Sequence, residues 1–371
     1  MITIKEMISR KEMTEFVKFP FKLYKNNPFW VPPMINGQLD TFDKNVNPVF
    51  EQASGQFFVA IKNNEIVGRI AVMINSYDLK ENIKKVRFGW FDFIDDLEVS
   101  AALLEKAKEI GIANNLEFME GPMGFSNLDE VGVLTKGFDH IGTMSSWYNY
   151  PYYSEHLKQL GFQVGTEFVE NKFSFSNVNP QKLERGSEIV KQRYGFKALN
   201  FTDIKDLMPY VDEMFDVFNA SYASLPSFVP VSQAQKEYFR KKYLPFINPH
   251  FIQFVTDKDG KLIAFAITMP SFSVALQKAQ GKLFPFGWYH LLKAKNKAKH
   301  ILFYLIGTLP KHHNQGVPSI MFYEYYKIFK KIGVEQCYRT PELESNTAVK
   351  ALWSGFGQET YKKRCTFIKK L

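Results

Sequence analysis

The chain has 371 residues, roughly twice the common domain size, which is long enough for two sizeable cores. A 45% hydrophobic fraction with 23% charged residues excludes a disordered or fibrous chain, and no stretch approaches the ~20 apolar residues that span a bilayer. A formal net charge of +9 favours anionic ligands, and two cysteines, Cys337 and Cys365, exclude a disulfide framework.

In chain order, a short strand leads to a helix from about Ser9 that breaks near Asn26-Asn27-Pro28. Residues 57–62 and 66–74 run apolar on either side of Asn63-Asn64, which predicts an antiparallel hairpin, and 86–94 reads as a third strand. Val99, Leu103, Ala107 and Ile110 recur at helical spacing, with Gly111 placed to stop the helix. Residues 116–119 read as a strand, and after a long connection 153–160 reads as a helix closed by Gly161, followed by a strand to Phe175. The first domain is expected over 1–178, with the polar stretch 179–195 as a linker and a second domain over 196–371.

The second domain starts with a strand at 196–201 and a helix at 203–222. A hairpin over 251–256 and 262–269 turns at Asp257-Lys258-Asp259-Gly260, where glycine tolerates positive φ. An insertion at 270–300 carries two helices and ends in a basic run of Lys293, Lys295, Lys297, Lys299 and His300. A strand at 301–306, a helix through Met321, Tyr325 and Ile332, a strand at 336–339 and a helix at 345–353 complete the chain. The fold class expected is mixed α/β in two tandem domains.

Three passages repeat in order at an offset of roughly 195 residues, as in an internal duplication. PFWVPP at 28–33 returns as PSFVPV at 226–231, the hairpin from Phe57 returns from Phe251, and HLKQLGFQVGTEF from His156 returns as VKALWSGFGQETY from Val349. The copies differ after their fourth strand. The second copy has GTLPKHHNQGVPSIMFYEYY from Gly307, a strand, polar loop, glycine and helix in series. Gly316 permits close backbone approach and Pro318 suits a first helical turn, so the unpartnered N–H groups and dipole of the helix start form a cradle for pyrophosphate. The first copy runs into Asp95-Asp96-Leu97-Glu98 instead, which repels phosphate and suits a helix cap.

On HNQGVP, with Gly316 at the glycine position, Asn346 on the following helix, and Gly355-Phe356 closing it, the second half resembles the GCN5-related N-acetyltransferase (GNAT) family. The whole chain looks like a tandem protein of this acyl-CoA N-acyltransferase superfamily. His313 stands where the family has Arg or Gln, and Pro318 where it has a small residue. The resemblance implies acetyl-CoA or another acyl-CoA as co-substrate, bound by Ile306, Thr308, His313, Asn314, Gln315, Gly316, Val317, Pro318, Ser319 and Asn346. It implies attack of an amine on the thioester, with a backbone N–H polarising the carbonyl, a carboxylate base and a tyrosine acid. The family's tyrosine position is occupied by Trp353, so Tyr338 is the candidate acid, with Tyr304 and Tyr361 as alternatives, and Glu344 is the candidate base, with Glu342 beside it.

SWYNYPYY at 146–153 is expected to pack structurally or, as the sharper alternative, to line an acceptor pocket through Trp147, Tyr148, Tyr152 and Tyr153 between the halves. The acceptor expected is a small-molecule or peptide amine. A catalytically silent binding or scaffold protein is the second reading. A tandem-fold transferase using aminoacyl-tRNA or acyl carrier protein is the third; nucleic acid ranks low because no binding module is recognisable. No Cys/His cluster suggests a metal, no secretory signal opens the chain, and a cytoplasmic location is expected.

Overall fold

The computed structural model describes residues 1–243 and 247–371. Its strands in chain order are β1 (Thr3–Glu6), β2 (Ala53–Lys62), β3 (Glu65–Asn75), β4 (Lys85–Phe93), β5 (Phe118–Gly121), β6 (Val133–Lys136), β7 (Gln163–Ser174), β8 (Lys197–Leu199), β9 (Ile252–Thr256), β10 (Leu262–Pro270), β11 (His300–Thr308), β12 (Gln336–Arg339), β13 (Glu342–Leu343) and β14 (Glu359–Lys370). With helices between them, the class is mixed α/β.

Local chemistry places many of these elements. Ser9 and Glu12 form a reciprocal cap on the helix Arg10–Leu23: Ser9 Oγ accepts from the Glu12 N–H, and Glu12 Oε2 accepts from the Ser9 N–H at 3.0 Å. Asn63 and Asn64 both adopt positive φ, the backbone of a two-residue hairpin turn between β2 and β3. Asp257 Oδ1 accepts from the N–H groups of Asp259 and Lys261 in the second hairpin turn. The expected helix at 203–222 divides into Ile204–Leu207 and Val211–Tyr222, because Pro209 in the turn between them has no N–H to offer a helix ladder. Gly111 does not end its helix, which continues to Ala113; a Cβ there would lie 2.5 Å from Leu371 Cδ1, so this glycine serves close packing. The polar stretch expected as a linker is the helix Pro180–Tyr194, capped by Asn179 and packed on the helix Pro318–Ile332, where Lys191 pairs with Glu324 at 3.3 Å.

Two compact units emerge, and neither is a continuous half of the chain. The first contains Met1–Val169, Phe272–Lys293 and Tyr361–Leu371; the second contains Glu170–Ser271 and Ala294–Thr360. The first unit's strands lie in the order β1-β2-β3-β4-β5-β14, antiparallel except for the parallel pair β4/β5. The second unit's lie in the order β8-β9-β10-β11-β12-β7, antiparallel except for the parallel pair β11/β12. The two sheets are wired alike, as the repeats require. Their sixth strands are exchanged in sequence: β14, at the end of the chain, sits beside β5, and β7, which closes the first repeat, sits beside β12.

Each exchanged strand carries core residues. Phe367 and Cys365 of β14 are buried among Phe88, Leu103 and Phe162 of the first unit. Phe173 of β7 is buried in the second, 5.1 Å from Phe356 and 5.7 Å from Trp353, ring to ring. Burying one such aromatic side chain is worth about 1.5–3 kcal/mol, a large fraction of a domain's net stability. Residues 1–178 and 179–371 expressed separately are therefore expected to give no cooperative thermal transition, and mixing them is expected to restore it. A sharp transition in either fragment alone, at the full chain's midpoint, contradicts this.

Candidate active site

The same irregularity interrupts the fourth strand of both units. Arg69 faces Asp92 and Ala71 faces Gly89 across β3/β4, so β4 carries one extra residue between them. Trp90 absorbs it at φ +42, an uncommon conformation for a bulky residue, held by its indole N–H on Gln38 Oε1 at 3.0 Å and by the rings of Phe42 and Trp147. In β11 the extra residue is Tyr304, since Ile267 faces Leu305 and Thr268 faces Phe303. Parallel pairing with the fifth strand stops before each bulge, at Arg87 in β4 and at Phe303 in β11. Beyond it, among the described residues, one edge of the fourth strand has no strand beside it, and its backbone polar groups need other partners.

In the first unit tyrosines supply those partners. Ile94 N–H bonds Val67 O, so the preceding residue, Phe93, points its own N–H and C=O away from β3. The Phe93 N–H donates to Tyr153 Oη at 3.2 Å and Tyr152 Oη donates to the Phe93 carbonyl at 2.6 Å. Tyr153 stacks on Phe93 and shares a hydrogen bond with Tyr24, which donates to Asp92, and Asp92 is held by a two-point pair with Arg69 at 2.7–2.8 Å. Burial first and the Asp92 charge second push the Tyr24 and Tyr153 hydroxyls well above the ordinary phenol range, so both remain protonated donors. At the start of the helix Leu97–Ala113, Asp96 caps the Glu98 N–H and pairs with Lys62 at 2.7 Å, and Asp95 meets His156 Nε2 at 3.0 Å. The acidic run is a cap.

In the second unit, side chains bond the carbonyls of that edge. Leu309 N–H bonds Ile263 O, and the β10/β11 register then turns the N–H and C=O of both Ile306 and Thr308 away from β10. Tyr222 Oη donates to the Ile306 carbonyl at 3.1 Å; burial pushes this hydroxyl up to about 12. His313 Nε2 donates to the Thr308 carbonyl at 2.9 Å. The sequence then forms a short 3-10 helix, Pro310–Gln315, before Gly316 at φ +71 and the helix Pro318–Ile332. Lys311, His313, Asn314 and Gly316 are exposed. The N–H groups of Ser319 and Ile320 turn inward onto Gly316 O and Val317 O, whereas the N–H groups of Gly316 and Val317 meet no protein acceptor among the described residues. A Cβ on Gly316 would stand 3.0 Å from Val190 Cγ2. The loop thus joins unpaired N–H groups to exposed cationic and amide side chains, a chemistry suited to a phosphate.

Tyr338 lies on β12 opposite Leu302, just before the strands part, and burial raises its phenol pKa. Glu342 is engaged by Arg339 at 2.6 Å and by Asn171 at 2.7 Å, and burial raises its pKa; Glu344, two residues on, is half-buried. Asn346 caps the helix Thr347–Trp353 through the Val349 N–H at 3.1 Å. Trp353 is buried under the Arg339 guanidinium, 4.7 Å from its ring, with Phe303, Phe322 and Phe356 around it. Tyr304 sits on the bulge itself, and Tyr361 belongs to the first unit, beside His140. Trp147, Tyr148, Tyr152 and Tyr153 all lie in the first unit; Tyr148 and Tyr153 are buried. Sequence reasoning missed both bulges, Tyr222, and the Arg69–Asp92–Tyr24 network, because each depends on residues far apart in the chain. Among the described residues no group of His, Cys, Asp and Glu is placed to hold a metal, and no helix is long and apolar enough to cross a membrane.

No family model matches the chain. Protein YghO of Escherichia coli is 26% identical over 295 residues, covering 78% of this chain and 73% of YghO. The bacterial ceramide synthase of Caulobacter vibrioides is 23% identical over 368 residues, covering 97% of this chain and 95% of that protein. A solved tandem GNAT protein from the clavulanic acid biosynthesis pathway aligns with 100% of this chain and 98% of its own at a TM-score of 0.57 and 10% identity, a likeness of fold.

Two neighbouring carboxyls of the first unit, Asp129 and Glu130, are both raised above the ordinary carboxylate range by burial. Burial, with Asp129 adding repulsion, pushes Glu130 up to about 7. A raised carboxyl favours the protonated form in the folded state. Its stabilising contribution is therefore complete below the ordinary glutamate range and is lost as pH rises through about 7. Chemical denaturation near pH 5 and near pH 8 should show Glu130→Gln gaining on the wild type at the higher pH. Parallel pH dependence in the two proteins contradicts the assignment.

Proposed function

The chain has a tandem GNAT fold, and from that premise we propose that it is an acyl-CoA-dependent N-acyltransferase whose donor site lies in the second unit. The observation that carries this reading is the contrast between the two opened strand edges. In the first unit the Phe93 N–H is already consumed by Tyr153, and carboxylates occupy the helix start. In the second unit only the carbonyls of Ile306 and Thr308 are engaged by side chains, and a glycine loop replaces the carboxylates. Losing one preorganised N–H donor to a developing oxyanion typically costs about 10²–10³ in kcat, so a unit whose N–H is taken is a poor catalyst.

In this reading, Gly316 and Val317 N–H groups with Lys311 and Asn314 hold the pyrophosphate. The Ile306 and Thr308 N–H groups point at the thioester carbonyl and receive its charge as the amine adds to the carbon. The amine must lose a proton, and Glu344 is the proposed acceptor. The carbon–sulfur bond then breaks, the thiolate leaves, and Tyr338 is proposed to return a proton to sulfur. The phenol is protonated at neutral pH, as that role requires, and burial, which raises its pKa, makes it a weaker acid than a free tyrosine.

The acceptor we propose is a long-chain amine. Similarity to the bacterial ceramide synthase over nearly the whole of both chains supports it, a ceramide being an amide of a long-chain amino alcohol. The test is mass spectrometry of amide products from acyl-CoAs of graded length with long-chain and short-chain amines. Amide formation confined to short amines removes the acceptor class; its absence with every pair, together with no acyl-CoA binding, leaves a binding protein that kept the fold.

Two variants address the site. Gly316→Ala introduces the left-handed strain, about 1–2 kcal/mol, and Gly316→Glu adds a charge at the cradle. By calorimetry, acyl-CoA affinity should fall at least about tenfold further in the glutamate variant than in the alanine one. Equal affinity would place the pyrophosphate elsewhere. Tyr338→Phe should lower kcat about 10²-fold with KM nearly unchanged, the signature of a lost proton donor. Unaltered kcat would exclude Tyr338 as the acid.

A further inference from the structure

The segment between β10 and β11 exposes apolar surface in an unusual concentration. Phe284 is 77% exposed and Phe286 69%, and the helix Gly287–Asn296 adds Trp288, Tyr289 and Leu292, each about half exposed. Trp288 and Leu292 stand four residues apart on the helix, and Tyr289 and Lys293 continue the same outer side. Gly287, His290, Leu291 and Ala294 lie on the other side, buried or partly so. The segment is ordered by its own bonds. Trp288 N–H bonds Leu283 O at 2.9 Å, the Trp288 indole donates to Pro285 O at 3.0 Å, and Gly287 approaches Lys282 O so closely that a Cβ would lie 1.9 Å from it. A folded core normally leaves such rings exposed only where something else covers them.

The charge around the patch says what kind of partner fits. From residue 260 to residue 323 the chain has eight lysines and no aspartate or glutamate. Lys282, Lys293 and Lys297, which flank the rings in sequence, are exposed. Protein interfaces are depleted of lysine. Phe, Trp, Tyr and Leu bordered by lysines is instead the composition of an element that lies in the boundary layer of an anionic bilayer, rings among the acyl chains and ammonium groups among the phosphates. We propose that residues 282–297 dock this protein on an anionic lipid surface. The proposal stands on this segment alone and does not depend on the acyl-transfer reading.

The experiment is flotation of the full-length protein with vesicles of phosphatidylcholine, or of equal parts phosphatidylcholine and phosphatidylglycerol. Tryptophan emission is followed in parallel. Trp30, Trp90 and Trp353 are buried and Trp147 is partly so, which makes Trp288 the main reporter of a change at the surface. The wild type should float with the mixed vesicles and shift its emission to the blue, and should bind phosphatidylcholine vesicles far more weakly. Phe284→Ser with Phe286→Ser should lower the partition coefficient about tenfold or more. Lys293→Ala and Lys297→Ala should each lower it about fivefold, as should raising the salt. Thermal midpoints check the fold; if the serine variant unfolds, the lysine variants and the salt dependence decide. No flotation of the wild type, or equal flotation of all variants, overturns the proposal. Self-association without lipid that the serine substitutions abolish also overturns it, because a second copy then covers the face.

Discussion

A strand edge that loses its neighbour must satisfy its backbone some other way, and this constraint organises both units. One extra residue in β4 and one in β11 ends the parallel pairing with the next strand, leaving N–H and C=O groups without a ladder. An unsatisfied buried backbone group costs about 1–3 kcal/mol, so each unit recruits side chains to the gap. The first unit uses Tyr152 and Tyr153 and satisfies both groups of Phe93. The second uses Tyr222 and His313 on carbonyls. One duplicated architecture thereby yields an edge that is chemically closed and another whose N–H groups still point outward.

The helix that follows each bulge repeats this division. In the first unit Asp96 supplies the cap from within the chain, with Lys62 pairing with it. In the second a glycine in the left-handed region turns the chain without a side chain, and nearby cationic and amide groups stay exposed. The exchange of β7 and β14 adds a folding constraint, since neither sheet is complete until both repeats have been made. Such non-local pairing is slow to form, because loop closure precedes the contacts that reward it.

Much of the fold was legible from local pattern. Both hairpins, the helix start near Ser9, the strand–loop–Gly316–helix junction and the short helix at 345–353 follow from turn chemistry and periodicity within a dozen residues. The stretch 179–195 misled because its helix buries only a narrow face, and polar composition alone does not separate such a helix from a linker. Gly111 misled because a glycine can answer to a neighbour distant in sequence, here Leu371.

The sequence by itself determined the mixed α/β class, the duplication and the glycine loop, for which the deciding contacts are local or repeat with a fixed offset. Only the tertiary structure decided which strands complete each sheet, where the fourth strands bulge, and which backbone groups along them find side-chain partners. Those outcomes depend on pairing between residues far apart, such as Phe93 with Tyr153 and Ile306 with Tyr222. A tyrosine in sequence announces that it will donate a hydrogen bond; the carbonyl that receives it is named only when the chain has folded.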